Sequence, residues 1–180
     1  MRSLINDFIK PVLVLAVICI VVAGALAFVN DATYPIIEEA AAERARLDMQ
    51  AIMPDAVAFE PLDTEDLASI TEAYQAVGDA GQPLGYIIVA ASNGFGGEMR
   101  VMCGIGPDGR IIEVRTLQHS ETRGFGDYIE HEHPSAFTRR LEGKDSRLEG
   151  IDGVTGATVT FRAFVTALEE AFNAFEELKG

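Results

Sequence analysis

The most apolar stretch of the chain runs from Pro11 to Val29 (PVLVLAVICIVVAGALAFV) and contains no charged residue. Its length matches the roughly 20 residues that a helix needs to cross the hydrocarbon core of a bilayer, so the pattern predicts a spanning helix. A different period follows. From Pro35 to Met53, Ile37, Ala40, Ala41, Arg44, Leu47, Ala51 and Ile52 recur near helical spacing, with Pro35 and the acidic Glu38 and Glu39 suited to a helix start and Pro54 to its end. Residues 55–71 are acidic and weakly patterned; they predict a connecting segment with a short helix around Thr64 to Ile70.

Beyond that point the apolar positions come in short runs rich in β-branched residues: Tyr74 to Val77, Leu84 to Ala91, Met99 to Ile105 and Ile111 to Leu117. Gly78 to Pro83 separates the first pair, and Gly106-Pro-Asp-Gly109 makes a hairpin turn between the last pair. These runs predict an antiparallel sheet of about four strands. Ser135 to Leu141 has a helical look, and Phe161, Phe164, Val165, Leu168, Phe172 and Phe175 mark one face of a terminal helix. The fold class expected is α+β: an amino-terminal transmembrane helix, then a small antiparallel sheet with flanking helices. The expected divisions are residues 1–10 inside the cell, 11–29 in the membrane, 30–71 as membrane-proximal helix and connector, and 72–180 as the functional domain.

The charges flanking the apolar run set its orientation. Arg2, Lys10 and the amino terminus precede it, while Asp31, Glu38 and Glu39 follow. Positive charge stays on the cytoplasmic side, which predicts a single-pass protein of the cytoplasmic membrane with its larger part on the periplasmic or extracellular side. A cleaved signal peptide is the competing reading, since Ala23-Gly-Ala25 and Ala25-Leu-Ala27 offer small residues at suitable spacing. The apolar run is longer than the usual h-region of about 7 to 15 residues, which favours the anchor. Lipoprotein processing at Cys19 is disfavoured because Ala16-Val17-Ile18 lacks small residues at the positions that need them.

The formal net charge of -14 disfavours a nucleic-acid partner, because such a surface repels phosphate backbones. The two cysteines, Cys19 and Cys103, are far apart and form no CxxC or Cys/His cluster, so iron–sulfur and structural zinc sites lack their usual signal. His131-Glu-His133, with His119, could suggest a metal, but Pro134 follows at once and a solvated turn is the simpler description.

The segment that points to chemistry is Asp152-Gly-Val-Thr155-Gly156-Ala157-Thr158-Val-Thr160, directly ahead of the terminal helix. Small residues let a ligand approach the backbone, hydroxyls supply caps, hydrogen bonds or an ester oxygen, and a helix start favours an anion such as phosphate. By spacing alone, the simpler reading is a helix cap. However, Asp-x-x-Ser/Thr-Gly-Ala-Thr resembles the flavinylation motif of the RnfG/NqrC family of FMN-binding domains. A second stretch resembles the same family: Asn93-Gly-Phe-Gly96-Gly97 before a strand, then His119-Ser-Glu121-Thr122-Arg123-Gly124-Phe125-Gly126-Asp127, with Arg123 where the family commonly has Pro.

The resemblance spans nearly the whole chain and implies a covalent FMN, joined as a phosphoester to Thr158. It further implies contacts from Thr155, Gly156, Ala157 and Thr160 around the phosphate, and from Glu121, Thr122 and Gly124 near the ring system. Thr155 and Thr160 would donate to phosphate oxygens. Glu121 would either touch the flavin or hold its loop through backbone N–H groups. No metal is implied. The implied function is an electron-transfer subunit, the G component of an Rnf-type ion-translocating membrane complex. Its partners would be the other subunits and a flavin transferase that installs FMN, and it would have no substrate of its own. Two alternatives stay open: the C component of a Na⁺-translocating NADH:quinone oxidoreductase, and a noncatalytic, membrane-tethered binding module without flavin.

Overall fold

The computed structural model describes residues 2–122, 129, 137–153 and 156–179, with side chains from residue 9 onward. The chain divides into two compact units, residues 1–44 and 45–180.

The first unit is helical throughout its described part and belongs to α1, Arg2–Ile52. Its large apolar side chains, among them Val12, Ile20, Leu26 and Phe28, are exposed. The stretch Ile9–Ile52 is long and apolar enough to cross a membrane, with a mean hydropathy of 3.2 in its most apolar window. The expected break near Pro35 is absent: Pro35 lies inside α1. Proline removes one N–H from the ladder and costs a helix a few kcal/mol, but the Ile-Ile-Glu-Glu-Ala-Ala-Ala run after it consists mostly of good helix formers that carry the helix on.

In the second unit a five-stranded antiparallel sheet is built in chain order: β1 (Ala58–Pro61), β2 (Ile70–Val77), β3 (Pro83–Asn93), β4 (Glu98–Ile105) and β5 (Ile111–Gln118). One strand more than expected is present. β1 pairs with β2 from Ala58↔Val77 to Pro61↔Tyr74, inside the segment expected to be a connector. The short helix expected near Thr64 is replaced by turns, closed by Leu67 N–H to Thr64 C=O and Ile70 N–H to Leu67 C=O, each at 3.0 Å. A 3-10 turn, Thr138–Leu141, stands where helix was expected at Ser135 to Leu141, of which residues 135 and 136 lie outside the described residues. The last element is α2, Thr158–Leu178.

The sheet is covered on both faces, which explains why β3 reads as a continuous apolar run rather than an alternating one. Tyr86, Ile88 and Ala90 of β3, with Met99, Val101, Cys103 and Ile105 of β4, join Phe164, Leu168 and Phe175 of α2 in one core. Tyr86 meets Phe175 edge to face at 5.3 Å between ring centroids. On the other face Ile87, Val89 and Met102 pack with Met49, Ile52 and Met53 at the end of α1. Gly104 of β4 makes that contact possible, since a Cβ there would collide with the Ile52 side chain. The end of the sheet that carries the β3–β4 turn and the exit of β5 is also the end at which α2 begins, because Thr160 is bonded to Glu121 there.

Candidate functional site

Three pieces of backbone meet at that end. The β3–β4 connection Gly94-Phe95-Gly96-Gly97 turns tightly, with the Gly94 N–H bonded to the Gly97 carbonyl at 2.8 Å. The segment leaving β5, residues His119 to Thr122, lies directly against it. A Cβ on Gly96 would run into the Ser120 carbonyl, so glycine is required there by close approach of backbone, and one on Gly94 would displace the Glu121 carboxylate from its present position. The third piece is the first turn of α2.

Glu121 joins all three. One carboxylate oxygen, Oε1, accepts the Gly96 N–H at 3.2 Å, and the other, Oε2, accepts the Thr160 hydroxyl at 2.6 Å. The Glu121 N–H donates in turn to His119 Nδ1 at 3.3 Å. Charged acceptors make the stronger hydrogen bonds, and Thr160 is buried, so this bridge holds the turn to the helix start in a fixed relation. The two described threonines of the motif therefore differ. Thr160 is buried and spends its hydroxyl on Glu121, whereas Thr158, the first residue of α2, is exposed.

Among the described residues, the start of α2 is open to an anion. Ala157 occupies the N-cap and makes no side-chain cap bond, and the first turn carries no acidic residue. Helix starts present N–H groups without intrahelical partners and a partial positive charge, which a phosphate complements. Gly156, at φ 89°, takes a left-handed conformation as the chain enters the helix. Ala157 is buried, and its carbonyl accepts the Phe161 N–H at 2.8 Å, the first helical bond.

The sequence pattern of the FMN-binding domain family matches residues 94–173, from the Gly94 turn through most of α2. The G subunit of the ion-translocating oxidoreductase complex of Shewanella piezotolerans is 30% identical over 197 residues, covering 97% of this chain and 92% of that protein. The chain belongs to the family of these G subunits. The protein of the same name from Methanosarcina acetivorans is 27% identical, covering 97% of this chain and 98% of its own. The G subunit of the Na(+)-translocating ferredoxin:NAD(+) oxidoreductase complex of Acetobacterium woodii is 28% identical, covering 92% and 90%. Among solved structures, Shewanella oneidensis NqrC aligns with a TM-score of 0.49 and 22% identity over 71% of this chain and 73% of that one.

Membership in that family gives the chain an FMN-binding domain, and Glu121, Gly156, Ala157, Thr158 and Thr160 all fall inside the matched residues. The structure gathers Gly156, Ala157, Thr158, Thr160 and Glu121 at one place, and leaves Thr122 exposed beside Glu121. Thr155, Gly124, His131 and His133 lie outside the described residues. Sequence reasoning misses the direct bond between Thr160 and Glu121, and with it the part played by the Gly96 N–H. The residues are far apart along the chain, and no spacing rule connects them. The repeated glycines on either side of Phe95 are the one available signal of a close backbone approach.

Proposed function

We propose that this protein is the flavin-carrying electron-transfer subunit of an Rnf-type ion-translocating membrane complex, with FMN held as a phosphoester on Thr158. The observation that carries this reading is the contrast at the head of α2, where Thr158 is exposed at a helix start whose N-cap residue, Ala157, makes no side-chain cap bond, while the nearby Thr160 is buried with its hydroxyl bonded to Glu121. Accessibility to a modifying enzyme and electrostatic accommodation of a phosphate coincide at that one residue.

The residues present suit the group. The first-turn N–H groups of α2 would hold the phosphate, Gly156 and Ala157 add no bulk beside it, and the Glu121 bridge would fix the glycine turn next to the ring system. When bound, FMN supplies the redox centre that accepts and passes on electrons. The protein's own contribution is to fix that centre in place and set its surroundings. A transferase acting on FAD would form the ester: the Thr158 oxygen bonds to the phosphorus attached to riboflavin, the pyrophosphate bond breaks, AMP leaves, and the hydroxyl proton is released to solvent.

The site faces the periplasm or exterior in this reading, since Arg2 and Lys10 hold the amino terminus inside. A covalent bond suits a cofactor on that side, where a dissociating one would be lost. Partners are the other membrane subunits, which would deliver and remove the electrons.

Intact-mass measurement tests the assignment on protein isolated from membranes that contain the modifying machinery. Wild type should carry an added mass of about 0.4–0.5 kDa, mapping to the peptide that contains Thr158, and Thr158→Ala should carry none. An unmodified wild-type peptide across residues 152–162 would remove the basis of the proposal.

A further inference from the structure

Phe95 is 76% exposed, the most exposed of the large apolar side chains among the described residues of the unit 45–180, and it stands at the tip of the β3–β4 turn. An isolated exposed apolar residue ordinarily needs no explanation. Here the surrounding backbone is unusually constrained. Gly94 and Gly96 flank it, a Cβ on either would meet the segment leaving β5, the turn is closed by the Gly94–Gly97 bond, and the Gly96 N–H is held by Glu121. The protein thus fixes the backbone that carries a large aromatic ring and leaves that ring without a packing partner among the described residues.

The other end of the same carboxylate points to what covers it. Glu121 holds Gly96, the residue after Phe95, through Oε1, and Thr160, two residues after Thr158, through Oε2. Phe95 and the Thr158 hydroxyl are therefore attached to opposite sides of one hydrogen-bonded bridge. Val159, also exposed, adds apolar surface next to Thr158. A phosphate on Thr158 tethers the flat, aromatic isoalloxazine ring by a flexible ribityl chain, and such a ring seeks an aromatic face.

We propose that Phe95 is the aromatic side chain against which the isoalloxazine ring packs, with Glu121 acting as the positioning residue that keeps Phe95 within reach of the flavin on Thr158. This rests on the assignment of FMN to Thr158. It implies that the ring is shielded on one face by the glycine turn, with the opposite face left for an electron-transfer partner.

The test uses full-length protein from membranes containing the modifying machinery, as wild type, Phe95→Ala and Phe95→Trp, with intact mass read first and flavin spectra second. All three should carry the FMN mass. A tryptophan in contact with flavin quenches its emission by giving an electron to the excited ring, which the much less oxidisable phenylalanine does not, and a ring held against a side chain gains visible circular dichroism from its fixed asymmetric setting. Emission per loaded flavin should therefore fall severalfold below the wild-type level in Phe95→Trp, and the visible dichroism should be lost in Phe95→Ala. Loaded Phe95→Ala with wild-type dichroism, together with loaded Phe95→Trp with wild-type emission, would overturn the role of Phe95 alone, and would mean that the side chain faces something other than the flavin. Absence of the added mass in wild type would overturn the Thr158 assignment and this inference together.

Discussion

Cys103 shows how far burial alone can move a single group. It sits in β4 with no exposed surface, inside the core shared with α2, and burial pushes its thiol up to about 12 from an ordinary 9.0. The folded state therefore keeps the proton at a pH where the unfolded chain has already released it. The raised value makes the stabilising contribution complete below pH 9 and removes it as pH climbs from 9 toward 12, by about 1 kcal/mol per unit. Urea unfolding of the detergent-solubilised protein, followed by far-ultraviolet dichroism of its backbone, should show a loss of stability across that window. Cys103→Ala should lessen it, leaving the part contributed by Tyr74, whose phenol is also pushed up by burial. An equally steep alkaline loss in the variant would assign the effect to other groups. The same burial predicts that Cys103 resists alkylation in the folded protein at neutral pH, where its thiolate is scarce and out of reach.

Among the elements, the end of α1 is held to the sheet by charge as well as by packing. Arg115 of β5 bonds Asp48 at 2.8 Å and Glu113 at 2.7 Å, with Asp48 buried and the Arg115 side chain only 15% exposed. Removing one member of a buried ion pair costs far more than the pair contributes, because the remaining charge stays in a poor solvent. Arg115→Ala should lower stability by about 3 kcal/mol, whereas Asp48→Leu with Arg115→Met should recover much of the loss; a urea titration of wild type and the two variants distinguishes them. A loss under about 1 kcal/mol in Arg115→Ala would show that water reaches the pair. The elements legible in the sequence are those whose pattern arises locally: the apolar span, the runs of β3, β4 and β5 with the Gly106–Gly109 hairpin, and the phenylalanine face of α2. β1 is hidden because it is a short edge strand with exposed side chains and a proline, which gives no alternation to detect. The break expected at Pro35 fails for the converse reason, since a strong local signal is overruled by the helix formers after it. At the site, the sequence and its family resemblance single out Thr158 and Glu121. The bond from Glu121 to Thr160 is a product of the fold and cannot be read from spacing.

For the whole molecule, the distribution of charge along the chain makes a claim about topology. Arg2 and Lys10 flank the apolar run on one side and Asp31, Glu38 and Glu39 on the other, in a chain whose formal charge is -14. Lysine and arginine near the ends of a span set its orientation, and acidic residues contribute little, so the two cations at the amino-terminal flank carry the bias. The domain matched to FMN binding is then expected on the far side of the membrane from the cytoplasm. Alkaline phosphatase, active only where its disulfides form, should be active when fused after Gly180 in a bacterial host, and a cytoplasm-dependent fluorescent reporter at the same place should be dark. Replacing Arg2 and Lys10 by glutamate and adding lysines just after Val29 should raise the share of inverted chains and reverse both signals in that share. If FMN is installed on Thr158 outside the cytoplasm, as proposed above, the modifying enzyme cannot reach an inverted chain, and the FMN mass should decline in step with phosphatase activity. An inactive phosphatase fusion to the unaltered chain would place the site in the cytoplasm and require the modification to occur there.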